Sequence, residues 1–220
     1  MIAEELISNE IPPLKTSDSG LKAMAWMEEF RISHLPIVNH QELLGVISEE
    51  DIFNLNSPEE PLGNHRLSLY KPYVKSSQHI YEVIRVVAQM NLSLVPVLDD
   101  KENYLGIITI TDLVKKLAEL SSIKDPGAIL VLELNERDYN LSQIAHIVES
   151  NDCKILSSYI NTIPESTKIE VVLKLNRTDL RAIIATFSRY NYTIKGLFME
   201  TSQDDDMNDR FRQLMNFIDM

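Results

Sequence analysis

Glycine is scarce in this chain: six in 220 residues, where average usage of about 7% would give roughly fifteen. Glycine lets a backbone turn tightly or approach a phosphate closely. Neither GxGxxG nor GxxxxGK[ST] occurs, which excludes the glycine-rich loops that cradle nucleotide phosphates. Cysteine is nearly absent. Cys153 stands alone, so there is no intramolecular disulfide and no thiolate cluster for a metal. The histidines fall at 34, 40, 65, 79 and 146, with no HExxH and no paired-ligand spacing; no metal site is expected. GxSxG is missing, as is any Ser/His/Asp order that would suit a nucleophile. No catalytic residues and no enzyme are therefore expected. No apolar run approaches about 18 residues, and the acidic opening from Met1 to Leu6 is unlike a signal peptide. These absences point to a cytoplasmic protein with no membrane partner. Positive charge is short as well: 21 basic against 33 acidic residues leave a net −12. A surface that negative repels nucleic-acid phosphates and anionic headgroups, so no nucleic acid is expected as a partner.

What is present suffices for folded domains, since 44% of the residues are hydrophobic. The charge is uneven: residues 1–60 carry 3 basic and 12 acidic groups, while residues 61–124 carry 8 and 6. An internal repeat organises this half. Residues 21–38 lie over residues 81–98, with Ser33 on Ser93 and Pro36 on Pro96. One residue of slack later, residues 44–52 lie over residues 105–113. Each copy reads as an amphipathic helix, a short apolar strand holding a proline, a polar turn, a second strand and a closing helix. Ser19 or Asp18 in the first copy, and Ser76 or Ser77 in the second, offer N-cap oxygens. Met24, Met27, Met90 and Trp26 fall on the apolar helix faces and are assigned to the core. Two such units, each too small for a good core, should pack on one another.

The segments Gly45-Val-Ile-Ser-Glu-Glu-Asp51 and Gly106-Ile-Ile-Thr-Ile-Thr-Asp112 resemble the G-h-h-[ST]-x-x-D signature that closes a CBS (cystathionine β-synthase-type) domain. The proline-bearing strands Leu35–Val38 and Val95–Leu98 resemble the strand before it. The resemblance divides this half into unit 1 (residues 1–60) and unit 2 (residues 61–122). It implies an adenosyl ligand: AMP, ADP, ATP or S-adenosylmethionine, with the aspartate on the ribose and the Ser/Thr near ribose or phosphate. Residue chemistry alone is compatible with that role. A hydroxyl at a strand-to-helix junction and free N–H groups suit an anion or a hydroxyl, and a carboxylate one turn on can accept a ribose diol. The same residues also read as plain N-caps with a favourable first-turn acid.

Charge separates the two signatures. Ser48-Glu-Glu-Asp51 lies in the acidic segment, where three consecutive carboxylates repel a polyphosphate. Ser48 and Asp51 are expected to hold a less charged adenosyl compound, a cation, or nothing. Thr109 and Asp112 have Thr111 as an extra hydroxyl, Lys75 in the leading segment, and Lys115 and Lys116 following. The adenosyl site is assigned to Thr109, Asp112, Lys75 and Thr111.

Beyond a break at residues 121–127 the pattern changes to βαββαβ over about 75 residues, the ferredoxin-like order. The fold class is thus α/β (α+β): a CBS pair followed by a ferredoxin-like domain over residues 126–200. Such a module behind a CBS pair resembles an ACT domain, as in acetoin-utilisation-type CBS proteins. ACT domains that bind amino acids favour an Asp-Arg-Pro-Gly-type turn, whereas Arg137-Asp-Tyr-Asn140 stands here. A dimerising sheet is the favoured role, with amino-acid sensing as the alternative. Residues 201–220 begin as an acidic turn. Met207, Phe211, Leu214, Met215 and Ile218 then form one stripe of an amphipathic helix, expected to dock within a homodimer. The function implied is a non-catalytic sensor that signals through a dimer to a client enzyme or transporter. A ligand-free interaction scaffold is the competing reading.

Overall fold

The computed structural model describes residues 1–199 apart from Arg66 and Ser68. Contacts divide the chain into one unit of Met1–Lys116 and a second from Leu117 onward. The first unit holds the two repeats. Repeat one runs α1 (Gly20–Phe30), β1 (His34–Asn39), β2 (Glu42–Ser48) and α2 (Glu49–Phe53). Repeat two runs β3 (Val74–Lys75), α3 (Ile80–Met90), β4 (Leu94–Leu98), β5 (Tyr104–Thr109) and α4 (Ile110–Leu120).

Local chemistry sets the helix ends. Ser19 caps α1, its side chain accepting the Lys22 N–H at 3.3 Å. Both α1 and α3 stop on a left-handed residue, Arg31 at φ 54° and Asn91 at φ 50°. The cap of α3 is His79, not Ser76 or Ser77. Those serines fall instead where the chain leaves β3, and the Ser76 N–H donates to the Leu98 carbonyl. Of the residues assigned to the core, Met27 is buried and Met24 and Trp26 are half-buried, but Met90 is 43% exposed at the end of α3.

The strands of each repeat form an antiparallel pair, β1 with β2 and β4 with β5. A leading segment joins each pair in parallel: Leu14 beside Ile37, and β3 beside β4. Further upstream, each repeat's lead-in crosses to the other repeat. Ser8 pairs with Ile107 of β5, and Tyr70 pairs with Val46 of β2. The two matching glycines lie under these crossings. A Cβ on Gly106 would sit 2.5 Å from Ile7 Cγ2, and one on Gly45 would sit 2.6 Å from Leu69 Cβ. The cores interlock accordingly: Ala3 and Leu6 pack with Val74, Ile80 and Val83, while Leu62 packs with Ala23, Leu35 and Ile47.

The second unit comprises β6 (Ala128–Asn135), α5 (Leu141–Glu149), β7 (Ile155–Thr162), β8 (Lys168–Leu175), α6 (Arg181–Arg189) and β9 (Thr193–Met199). The sheet order is β7-β8-β6-β9 with every pair antiparallel, the ferredoxin-like arrangement. Alternation puts Leu130, Leu132, Leu173 and Leu175 on one face. They are buried together with Ile144, Ile147 and Val148 of α5, and with Ile183, Ile184 and Phe187 of α6. Cys153 is fully buried in the same core. Asn140 caps α5 from an extended backbone at φ −139°, accepting the Ser142 and Gln143 N–H groups. The helix expected over residues 207–218 lies outside the described residues.

Candidate ligand-binding site

Both signatures place a hydroxyl at the end of a strand and a carboxylate one turn into the following helix. At the second, the Thr109 hydroxyl donates to Asp112 Oδ2 at 2.7 Å, and the Asp112 N–H donates back to Thr109 Oγ1 at 3.1 Å. Thr109 is 9% exposed, whereas the Asp112 side chain is 33% exposed. One carboxylate oxygen is thus committed to orienting the group. The other, Oδ1, lies 3.9 Å from Lys115 Nζ.

The first signature is wound more tightly on itself. Asp51 Oδ2 accepts from both the Ser48 hydroxyl (2.7 Å) and the Ser48 N–H (2.8 Å), and Ser48 Oγ accepts the Asp51 N–H at 3.1 Å. This is a closed capping box. It opens a helix of five residues whose first turn carries Glu49, Glu50 and Asp51; α4 has eleven residues and only Asp112 as a first-turn acid.

A polar bridge joins the two repeats beside these helix starts. The Ser93 N–H donates to His34 Nδ1 at 3.2 Å, and the Ser33 N–H donates to Ser93 Oγ at 3.1 Å. Both serine hydroxyls also lie within 3.2 Å of His34 Nδ1. The carbonyls of the same serines accept the first N–H of each closing helix: Ser33 from Glu49 at 3.0 Å and Ser93 from Ile110 at 3.1 Å. His34 follows Ser33 directly and reaches Ser93 across the repeats. Burial holds its pKa below the ordinary 6.5, with the nearby Asp51 charge acting in the opposite sense. A cavity of about 710 Å3 opens over the bridge, lined by Met24, Glu28, Arg31, Ser33, Glu49 and Ser93. Sequence reasoning aligned Ser33 with Ser93 but gave neither a role; a serine at matching places in both repeats was the available signal.

The remaining site candidates scatter. Lys75 pairs with Leu98, whereas Thr109 pairs with Leu94. β3 runs parallel to β4, so Lys75 stands at the far end of the strand, about 13 Å away at roughly 3.3 Å per residue. The structure does not bring Lys75 to Thr109. Its N–H is held by Gln78 Oε1 at 2.7 Å. Thr111 is exposed in the first turn of α4, and Lys115 is exposed one turn on. Among the described residues there is no group of three or more His, Cys, Asp or Glu that could hold a metal ion. No described helix is long and apolar enough to cross a membrane.

Both signatures fall within the stretches that a known family model matches. The CBS domain family model matches residues 3–57 and 70–119. The first half of the chain is a tandem CBS domain pair. An inosine-5'-monophosphate dehydrogenase of Methanocaldococcus jannaschii is 25% identical over 133 residues, covering 59% of this chain and 26% of that protein. The chain spans between 26% and 43% of the length of the curated relatives it matches. Among solved structures, a CBS domain pair/ACT domain protein from Thermotoga maritima aligns with a TM-score of 0.48 at 18% identity, covering 54% of this chain and 98% of that one. A CBSX2 structure in complex with AMP aligns with a TM-score of 0.47 at 18% identity, covering 54% and 96%.

Proposed function

We propose that the CBS pair is a non-catalytic regulatory module that binds an adenosyl ligand (AMP, ADP, ATP or S-adenosylmethionine) at the second signature. The observation that carries this reading is the division of labour within Asp112. Thr109 fixes one of its oxygens, and the other is left at a half-open helix start beside a lysine. A carboxylate held in that way is ready to accept the two hydroxyls of a ribose without first losing rotamer freedom. Thr109 is then a positioning residue. Thr111 and Lys115, on the exposed start of α4, are the groups available to phosphate oxygens. Lys75 has no part in this arrangement. Ser48 and Asp51 take a less charged adenosyl compound or serve only as a cap, because Glu49 and Glu50 beside them repel phosphate.

The ferredoxin-like unit, residues 126–200, acts in this reading as an ACT-like dimerisation module of a cytoplasmic protein, passing the signal to a client enzyme or transporter. Two other readings each have one observation in their favour. The closed Ser48–Asp51 box suits a ligand-free scaffold. A hollow of about 430 Å3 lined by Glu133, Asp138, Gln143, Lys168 and Tyr192 suits an amino acid.

A thermal-shift titration with the four adenosyl compounds distinguishes them. Ligand at a hundred times its Kd adds about 2.7 kcal/mol, roughly 5–10 °C for a chain of this size. Asp112→Ala should abolish the shift, and Asp51→Ala should leave most of it. A wild-type protein that no adenosyl compound stabilises sinks the proposal. Stabilisation by an amino acid alone would transfer it to the second unit.

A further inference from the structure

The polar bridge between the repeats has a titratable ring at its centre. His34 stands where the second repeat has Leu94, so the paired fold carries this imidazole once. Its Nδ1 accepts the Ser93 N–H at 3.2 Å, which only a neutral ring with its proton on Nε2 can do. A second proton on the ring sets Nδ1–H against that N–H, donor against donor. The Ser33 and Ser93 hydroxyls, 3.0 and 3.2 Å away, can accept the new proton, but the Ser93 N–H then loses its acceptor. Ser93 is in turn one bond from the second signature. Its carbonyl accepts the Ile110 N–H at 3.1 Å, and Asp112 lies two residues further along α4.

We propose that His34 is a proton-operated latch: its protonation frees Ser93, slackens the start of α4 that carries Asp112, and so weakens adenosyl binding. The effect on the ligand rests on the site assigned above to Asp112; the latch itself rests only on the bridge. Charged groups surround the bridge on the side of the first repeat. Glu28 of α1, Arg31 at its end and Glu49 of α2 line the cavity over it, and the Asp51 charge favours the protonated ring. On the other side α4 opens on uncharged Ile110 and Thr111, and its first charge is Asp112, engaged with Thr109 and near Lys115. The strands bring uncharged Ser48, Leu94 and Thr109. Burial opposes Asp51 and prevails, holding the ring below its ordinary 6.5. The latch is therefore closed at neutral pH and opens on acidification.

Hydrogen exchange of the Ser93 and Ile110 amides, followed by NMR in the full chain, tests the latch without any ligand. Protection corrected for intrinsic exchange should fall several-fold between pH 7.5 and 5.5. In His34→Gln, whose side-chain carbonyl accepts but does not titrate, it should stay level. Wild-type protection that does not change with pH overturns the proposal, and an equal fall in the variant does the same. AMP titrated by calorimetry tests the coupling. The ratio of wild-type to variant Kd, in which the phosphate's own protonation cancels, should rise at least about threefold over the same range, the onset of a site-to-site coupling of ordinary size. A ratio that stays flat while the amides respond overturns the link to Asp112, and with it the proposal. Absence of AMP binding at pH 7.5 would instead sink the adenosyl assignment and the link together, while the amides still decide the latch.

Discussion

At the residue scale, the two signature aspartates show how one motif acquires two characters. Asp51 spends one oxygen on both the hydroxyl and the N–H of Ser48 among further acids, while Asp112 is steadied by Thr109 next to a lysine. Caps at Ser19, Ser48 and Asn140 are legible in the sequence, because each acts on groups two or three residues away, whereas His79 takes the place of the expected Ser76 or Ser77 at α3. The place of Lys75 is not legible. Its distance from Thr109 depends on the direction of β3 relative to β4, and no local pattern encodes that. His34 gives a prediction of its own. Its Nδ1 accepts the Ser93 N–H, so the folded protein favours the neutral ring. With the folded pKa below 6.5, the unfolded chain binds the proton more readily. Stability should therefore fall as pH drops through 6.5 and level off below the folded value. Urea melts of the wild type between pH 7.5 and 5.5 should show this slope, and His34→Gln should flatten it. The crossing glycines give another. Gly106→Ala would press a methyl against Ile7 and Asn9 at φ +156°, and Gly45→Ala would press one against Leu69 and the Tyr70 carbonyl. Each should cost about 1–3 kcal/mol by overpacking, read as a lower urea midpoint with an unchanged m-value.

At the scale of elements, periodicity carried most of the assignment. Alternation in Ile169–Leu175 marks β8, and the i, i+3, i+4 spacing of Leu180, Ile183, Ile184 and Phe187 falls on α6 within a residue or two of its bounds. It failed where an element is too short to have a period. β3 has two residues, and the crossings at Ser8 and Tyr70 are single bridges. Met90 shows another limit, since an apolar residue at the right spacing near a helix end can still face water. The heart of the second unit is Phe187 of α6, fully buried and edge-on to Tyr192 at 5.4 Å. Phe187→Ala should destabilise that unit by about 3–5 kcal/mol. Because contacts divide the chain in two, the same variant should keep its adenosyl-dependent thermal shift in the first unit. A lost shift would mean that the units do not behave separately.

At the scale of the whole molecule, the acidic surplus is concentrated in one repeat. That gives a symmetric fold two unequal ends: a second copy of the signature with ligand-compatible charge, and a first copy dominated by carboxylates. The crossed lead-ins have a further consequence, in the order of synthesis. A chain made from its first residue onward cannot complete the sheet of repeat one until Tyr70 has appeared, and the strand partner of Ser8 is not made until Ile107. Ala3 and Leu6 must therefore wait for Val74, Ile80 and Val83, and Ser8 for about a hundred successors. The pair can only fold late and together, and a nascent chain halted near residue 60 would leave the ribosome with neither half able to close.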